Sequence, residues 1–417
     1  MAVTAPPRLA EPAQSLGIPF REFVALTAFL MALTALSIDI MLPALPEIGA
    51  RFRISNANDQ QAVVTTYLLG FAAGQLFYGP VSDHLGRRPV LLAGLAVFVV
   101  GTAGAIFAES FAVLLAARAI QGMGAAAPRV VAIAVVRDWF SGRQMAKVMS
   151  LVMMTFIVVP VFAPAMGQAL MHFGSWRPIF YVLLFAGLIA TIWAGLRLPA
   201  APRTVGATKV SFWEAVQAAL TTRQTLGYML GLGFMFGCLM SYIGTAEQIF
   251  VDVYDLGARF PLVFGAVASI MAAASFVNAR CVERVGMRRL SHSALTVFVL
   301  IALLLCAASF PGTPPLWVFA VLVGACFFLF GLIAPNFNAL AMQPLPHIAG
   351  TAASLIGFYS TGAAAAFGWL VGHFFDGTVW PLSLGFAGLS AGALAVAYAV
   401  EGRNYLFPIR QKDAGPG

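Results

Sequence analysis

Apolar runs of about twenty residues follow one another along this chain, parted by short polar, Pro- or Gly-bearing breaks, and this constrains the fold most. Each run is long enough to cross ~30 Å of hydrocarbon as a helix. Segments such as 91–107 are apolar on every face and lack the alternation of a barrel strand. Lipid offers no water to backbone N–H and C=O groups, so only a helical bundle satisfies such runs. Composition agrees: 60% of the residues are hydrophobic and 10% charged, against about 25% charged in a soluble domain.

The breaks predict twelve spans, at 22–45, 60–81, 88–107, 111–136, 145–170, 176–197, 224–250, 261–280, 290–310, 315–342, 350–374 and 380–402. The longest polar connection follows the sixth span. It carries Arg203, Lys209 and Arg223, with Phe212, Trp213, Val216 and Leu220 at helical spacing, which suggests a short amphipathic segment on the membrane face. The expected organisation is a tail at 1–21, a six-helix bundle at 22–198, a linker at 199–223, a second bundle at 224–402 and a tail at 403–417. The Pro- and Ala-rich start has no basic region leading directly into an apolar core and cleavage site, so it reads as a tail before an uncleaved first helix.

The formal charge of +8 reports orientation rather than a polyanion partner. Counted from a cytoplasmic N-terminus, only Arg51, Arg53, Arg177 and Arg259 fall in connections on the outer side, while the inner side holds all other loop and tail Arg and Lys. This bias places both termini in the cytoplasm and argues against nucleic acid. Cys238, Cys281, Cys306 and Cys326 show neither metal spacing nor paired outer-loop placement, so they read as small core residues.

One polar hinge occurs twice. Gly79-Pro80-Val81-Ser82-Asp83-His84-Leu85-Gly86-Arg87-Arg88 lies between the second and third runs, and Ala279-Arg280-Cys281-Val282-Glu283-Arg284-Val285-Gly286-Met287-Arg288-Arg289 lies 200 residues on. The acid, the glycine and the trailing basic pair recur at almost the same spacing. A duplicated membrane bundle of this kind reads as a transporter. No nucleophile–base set, metal cluster or phosphate loop appears, which argues against an enzyme and calls for no cofactor or metal.

Four local patterns resemble those of the major facilitator superfamily, and of its Bcr/CflA-type drug:proton antiporters in particular. The loop Gly79, Asp83, Gly86, Arg87, Arg88 is similar to the superfamily's element between helices two and three. Helix one closes Asp39-Ile40-Met41-Leu42-Pro43-Ala44-Leu45-Pro46, like the family's acid and Leu-Pro exit. Helix four carries Arg118-Ala119-Ile120-Gln121-Gly122-Met123-Gly124, like its arginine element. Gly331 to Pro335-Asn336 on helix ten and Gly350-Thr351-Ala352-Ala353-Ser354 on helix eleven resemble the Bcr/CflA branch. The resemblance covers 22–402 and implies an all-α membrane protein of twelve transmembrane helices in two pseudo-symmetric six-helix bundles. Helix five departs from the antiporter pattern: it keeps Pro164 and Gly167, has Ala163 and Gln168, and adds Pro160, so a kink or pliant segment is expected there.

Asp39 is the first candidate, about four to six residues from the outer end of helix one in an apolar run. An ionised carboxylate there costs several kcal/mol unless paired or facing a wet cavity. It is either a proton carrier, as the family position implies, or a structural partner for an arginine. Arg118, Gly122, Ala125 and Arg129 share one face of helix four. Arg118 sits at the depth of Asp39, which allows an ion pair that protonation releases; the other reading is a static strut. Arg129 either faces a polar cavity or snorkels to the cytoplasmic interface, and Gln121 is a hydrogen-bonding wall beside the stripe.

The Gly79/Asp83/Gly86/Arg87/Arg88 loop is either a topogenic basic loop or, as the family implies, the inner gate, with Glu283 and Arg288 in its weaker echo. Glu247 near the outer end of helix seven is either a second proton or cation-recognising carboxylate or an interfacial residue beside Asp252 and Asp255. The Phe- and Met-rich helices five and ten, with Met153, Asn336 and Asn338, suit a promiscuous amphipathic pocket, although most such residues serve as lipid-facing filler. The expected function is proton-driven efflux of small amphipathic drugs, such as chloramphenicol- or bicyclomycin-like compounds. The expected cavity lies between helices four, five, seven, ten and eleven of a monomer in a bacterial-type inner membrane. The alternatives are a transporter of an endogenous anionic metabolite, favoured by two arginines on one face, and a non-transporting receptor or scaffold.

Overall fold

The computed structural model describes residues 18–140, 142–198, 212–310, 312–345, 348–402 and 405. Fourteen helices follow one another: α1 (Phe20–Asp39), α2 (Leu45–Arg51), α3 (Ala62–Leu85), α4 (Arg87–Ile106), α5 (Phe111–Trp139), α6 (Gly142–Met171), α7 (Arg177–Arg197), α8 (Phe212–Thr221), α9 (Arg223–Gln248), α10 (Phe260–Val285), α11 (Met287–Ser309), α12 (Leu316–Met342), α13 (Ala349–His373) and α14 (Trp380–Glu401). Among the described residues, all but α2 and α8 have 20 residues or more. Eleven helices among the described residues are long and apolar enough to cross a membrane, and α6 has its apolar stretch at Val158–Met171. The expected bundle of twelve spans in two sets of six is the fold observed. α8 forms within the connection between the halves, where Ala219 packs on Leu345, Ile348 and Ala352 while Trp213 and Leu220 stay exposed.

Within lipid, hydrophobic burial does not drive helix against helix; close approach through small residues does. The first half is built on that rule. Gly70 and Gly74 on α3 lie against the backbones of Ala119 and Met123 on α5, and Gly122 on α5 answers against Tyr67. Gly124 meets Phe98, and Gly101 on α4 meets Gln121. α5 is thereby locked between α3 and α4, which fixes what its polar side chains can reach. α6 packs on α1 where Gly167 meets Ile40.

The two halves meet along α3 with α13 and along α6 with α10. Helices α3 and α13 run antiparallel and touch over their length, from Gln61 beside Gly372, through Gln75 donating to Thr361 Oγ1 at 2.9 Å, to Gly79 beside Ser354. The end of the bundle that holds 79–88 is called the basic end below, and the opposite one the far end.

One expectation about a helix end changes. Asp39 is the last residue of α1, since a tight turn at Leu42–Ala44 interrupts the span before α2. Pro43 and Pro46 cannot donate to a continuing helix, which explains the break. α6 runs as one helix through Pro160 and Pro164.

Candidate functional site

α1 presents two polar faces to two different surroundings. Thr34 and Ser37 turn inward: Thr34 Oγ1 donates to the Ala125 carbonyl at 3.2 Å, and the Ser37 carbonyl accepts from Arg118 Nη2 at 3.1 Å. Ala35, Ile38 and Asp39, spaced i, i+3 and i+4, turn toward the seam between the halves. There they line a cavity of about 80 Å³, together with Pro160 on α6, Leu239, Met240, Tyr242 and Ile243 on α9, Phe264, Val267, Ala268 and Met271 on α10, and Phe327 on α12.

The cavity wall is almost wholly apolar, with two unpartnered polar groups. Asp39 is 3% exposed, and its Oδ1 is buried without a hydrogen-bond partner. The Tyr242 hydroxyl is likewise buried and unpartnered. Its ring stacks on Phe264 at 5.6 Å and meets Phe327 edge-on at 4.8 Å, so its orientation is set by aromatic packing. A carboxyl in such a pocket can take a proton, or hold the cationic group of an apolar molecule, without first losing a protein partner.

The expected Asp39–Arg118 ion pair is not formed. Arg118 is fully buried and gives Nε to the Val63 carbonyl at 3.0 Å, Nη1 to Gln121 Oε1 at 2.6 Å and Nη2 to the Ser37 carbonyl. Its guanidinium lies 4.4 Å from the Tyr67 ring centroid. Its donors are drawn to these acceptors on α1, α3 and α5, away from the cavity that Asp39 lines. Gln121 donates onward to Thr102 Oγ1 at 2.8 Å, so it ties α4 to α5 and does not line the cavity. Arg129 is half-buried, over the Phe71 ring at 5.6 Å, and it too lies off the cavity.

Other candidates divide. Asn336 donates to Asn278 Oδ1 and to the Leu332 carbonyl, both at 2.7 Å, and so ties α12 to α10. Asn338 is exposed. The side chain of Met153 falls outside the described residues. Glu247 is 5% exposed and among the described residues has no hydrogen-bond or ion-pair partner. Helices four and eleven do not line the cavity; one and eight, α1 and α10, take their place.

At the basic end Arg87 bonds Asp83 and Ser82 within the loop and reaches Asp138 at the end of α5 at 2.7 Å. Arg88 donates to the Gly195 carbonyl on α7. Across the seam, Gly350 at the start of α13 lies against Asp83 and Arg137. The echo differs in a specific way. Gly86 and Gly286 share one left-handed conformation, with φ of 96° and 84°. Aligned on them, Arg88 corresponds to Arg288, which reaches Glu401 on α14 at 3.4 Å, as Arg88 reaches α7. Arg87 corresponds to Met287, while Glu283 is exposed without an ion pair among the described residues. The echo repeats the tie to the sixth helix of its half and lacks the loop's acid–base link.

The far end holds contacts that the sequence reading missed. Gln61 Nε2 donates to Gln248 Oε1 at 2.7 Å, Gln248 Nε2 to Asn58 Oδ1 at 3.0 Å, and Asn58 Nδ2 to the carbonyls of His373 and Phe375. These amides join the halves across the seam. In the sequence, Gln61 at the edge of an apolar run and Gln248 beside Glu247 were the signals of them.

The sequence profile of the Major Facilitator Superfamily matches residues 27–368. The bicyclomycin resistance protein homolog of Haemophilus influenzae is 28% identical over 92% of this chain and 96% of its own. Multidrug resistance protein D of Escherichia coli is 30% identical over 81% of this chain and 84% of its own. A crystal structure of a D-xylose–proton symporter superposes with a TM-score of 0.71 at 14% identity, covering 91% of this chain and 96% of that one, which speaks for the fold alone. The match spans most of both halves, so this chain belongs to the Major Facilitator Superfamily, a transporter rather than an enzyme, and the branch it resembles is that of the Bcr/CflA-type antiporters.

Proposed function

We propose that this chain is a proton-coupled exporter of small amphipathic compounds, antibiotics such as chloramphenicol- or bicyclomycin-like molecules among them, in a bacterial inner membrane. The basic end faces the cytoplasm, with both termini, and access alternates by rocking of the two halves. The observation that carries this reading is Asp39: a buried, unpartnered carboxyl in an apolar, aromatic cavity on the seam between the halves. A proton arriving from the far end neutralises Asp39 and weakens its hold on the bound compound; loss of the proton toward the cytoplasm restores the site. The names of the two bacterial relatives support a resistance role.

The anionic-metabolite reading is the less supported of the two. Arg118 directs its Nε, Nη1 and Nη2 groups to protein acceptors, and neither it nor Arg129 lines the cavity. Asp39→Asn keeps the shape of the side chain and removes its charge. The variant should fold and insert normally while substrate-induced proton release from the purified protein, and proton-linked efflux in vesicles, fall to background. Unchanged pH-dependent efflux by this variant overturns the proposal.

A further inference from the structure

The seam between the cavity and the far-end amides has hydrogen-bond acceptors without donors. Ile243 lines the cavity, and Glu247 follows it by four residues on the same face of α9, about 6 Å further toward the far end. Glu247 is 95% buried and has no hydrogen-bond or ion-pair partner among the described residues. Gly244, three residues before it, is the position against which Gln61 packs, and Gln61 Oε1 is also buried without a donor. Further in lies Asp39 Oδ1, in the same condition.

No Lys, Arg or His side chain among the described residues forms an ion pair with Asp39 or Glu247. The charged group nearest Glu247 along α9 is Asp252, one turn on and of like sign, in a turn at Ile249–Val253 that closes with wider i→i+5 bonds. Widened turns of that type favour functional positions in helices. Two largely buried carboxylates and an amide oxygen on one stretch of the seam, unanswered by donors among the described residues, are the chemistry that receives ammonium groups.

We infer that Glu247 is a second ammonium-binding position of this transport path. The path accommodates substrates with two positive groups a short distance apart, one at Asp39 and the other at Glu247, with an aromatic or apolar body against Tyr242 and Phe264. This inference rests on the reading of Asp39 as the substrate-facing carboxyl. Gln248, the next residue, belongs to the far-end closure. Occupation of Glu247 therefore sits directly beneath the contact that must open for release.

A matched pair of probes tests this: p-xylylenediamine, with an ammonium at each end of one ring, and 4-methylbenzylamine, with one. Their binding to the purified full-length protein is measured by titration calorimetry for wild type, Glu247→Gln, Glu247→Asp and Asp39→Asn. Wild type should prefer the diamine by about tenfold, one buried charge-assisted contact's worth. Glu247→Gln should remove that preference and leave monoamine affinity within about twofold, and Glu247→Asp should keep part of it. Equal binding of the two probes by wild type, or a preference that survives Glu247→Gln, overturns the inference. Loss of both probes in Glu247→Gln overturns it too, because the residue then serves the site as a whole. Asp39→Asn separates the two claims: full monoamine binding by that variant sinks the Asp39 reading itself, whereas its loss alongside an unaltered Glu247→Gln sinks only the second position.

Discussion

Arg118, on α5, and Asp39, at the end of α1, lie near one another in depth but face different surroundings, and their side chains act accordingly. Depth was legible from residue counting along two antiparallel helices. Direction was not, because it depends on α3, whose Val63 carbonyl and Tyr67 ring stand where the arginine settles. Arg118 is a tie among α1, α3 and α5, held on backbone carbonyls that no sequence pattern displays. Its truncation takes the donor from the Ser37 carbonyl and Gln121 Oε1, at about 1–3 kcal/mol for each buried unsatisfied group, and opens a cavity beside Tyr67. Arg118→Ala should therefore lower thermal stability in detergent by about 3 kcal/mol or more. Protein that remains folded should still release protons on adding substrate. If Arg118→Ala is as stable as wild type yet uncoupled, the arginine is a switch and not a tie.

At the scale of elements, α3, α4 and α5 form a stack of helices notched by glycine. Gly70 and Gly74 recur at the four-residue spacing that lets two helix backbones approach. The glycine spacing was visible, whereas the surfaces it would join were not. A Cβ at Gly122 would run into the Tyr67 backbone, while one at Gly388 on α14 meets nothing within 4 Å. Gly122→Ala should destabilise the protein by about 1–3 kcal/mol, as overpacking does, and displace Arg118 from Tyr67. Gly388→Ala should stay within about 0.5 kcal/mol of wild type. Parallel unfolding curves in one detergent settle the comparison, and equal stability of the two variants would remove the notch argument.

On the scale of the whole molecule, the halves are held together at both ends by different chemistry. The far end uses neutral amides: Gln61, Gln248 and Asn58. The basic end uses Asp83 and Arg137 against the start of α13, with Arg87 bracing Asp83 from behind. Helix N-termini favour a neighbouring negative charge, so Asp83 also faces a favourable field there. Gln248→Ala removes two hydrogen bonds of about 0.5–1.5 kcal/mol each, enough to shift a closed–open balance about tenfold. With a cysteine in place of Ile243 as reporter, this variant should raise labelling by an impermeant maleimide added to intact cells about tenfold. Asp83→Asn should lower it, because weakening the basic-end closure favours opening on the other side. Labelling that does not respond to either change would mean that these contacts do not set the balance.

Spans, their number and the duplication were legible in the chain itself, because the cost of an unsatisfied backbone in lipid ties twenty apolar residues to one helix wherever they occur. Asp39 stood out for the same reason: a carboxylate in such a run must have a purpose. What surrounds it was decided only by the tertiary structure. Which face of α1 meets the seam, why Arg118 turns away and why Glu247 is buried beside the far-end amides all depend on contacts between residues up to about three hundred positions apart. In a uniformly apolar helix, periodicity carries almost no record of direction, since lipid and a neighbouring helix accept the same side chains.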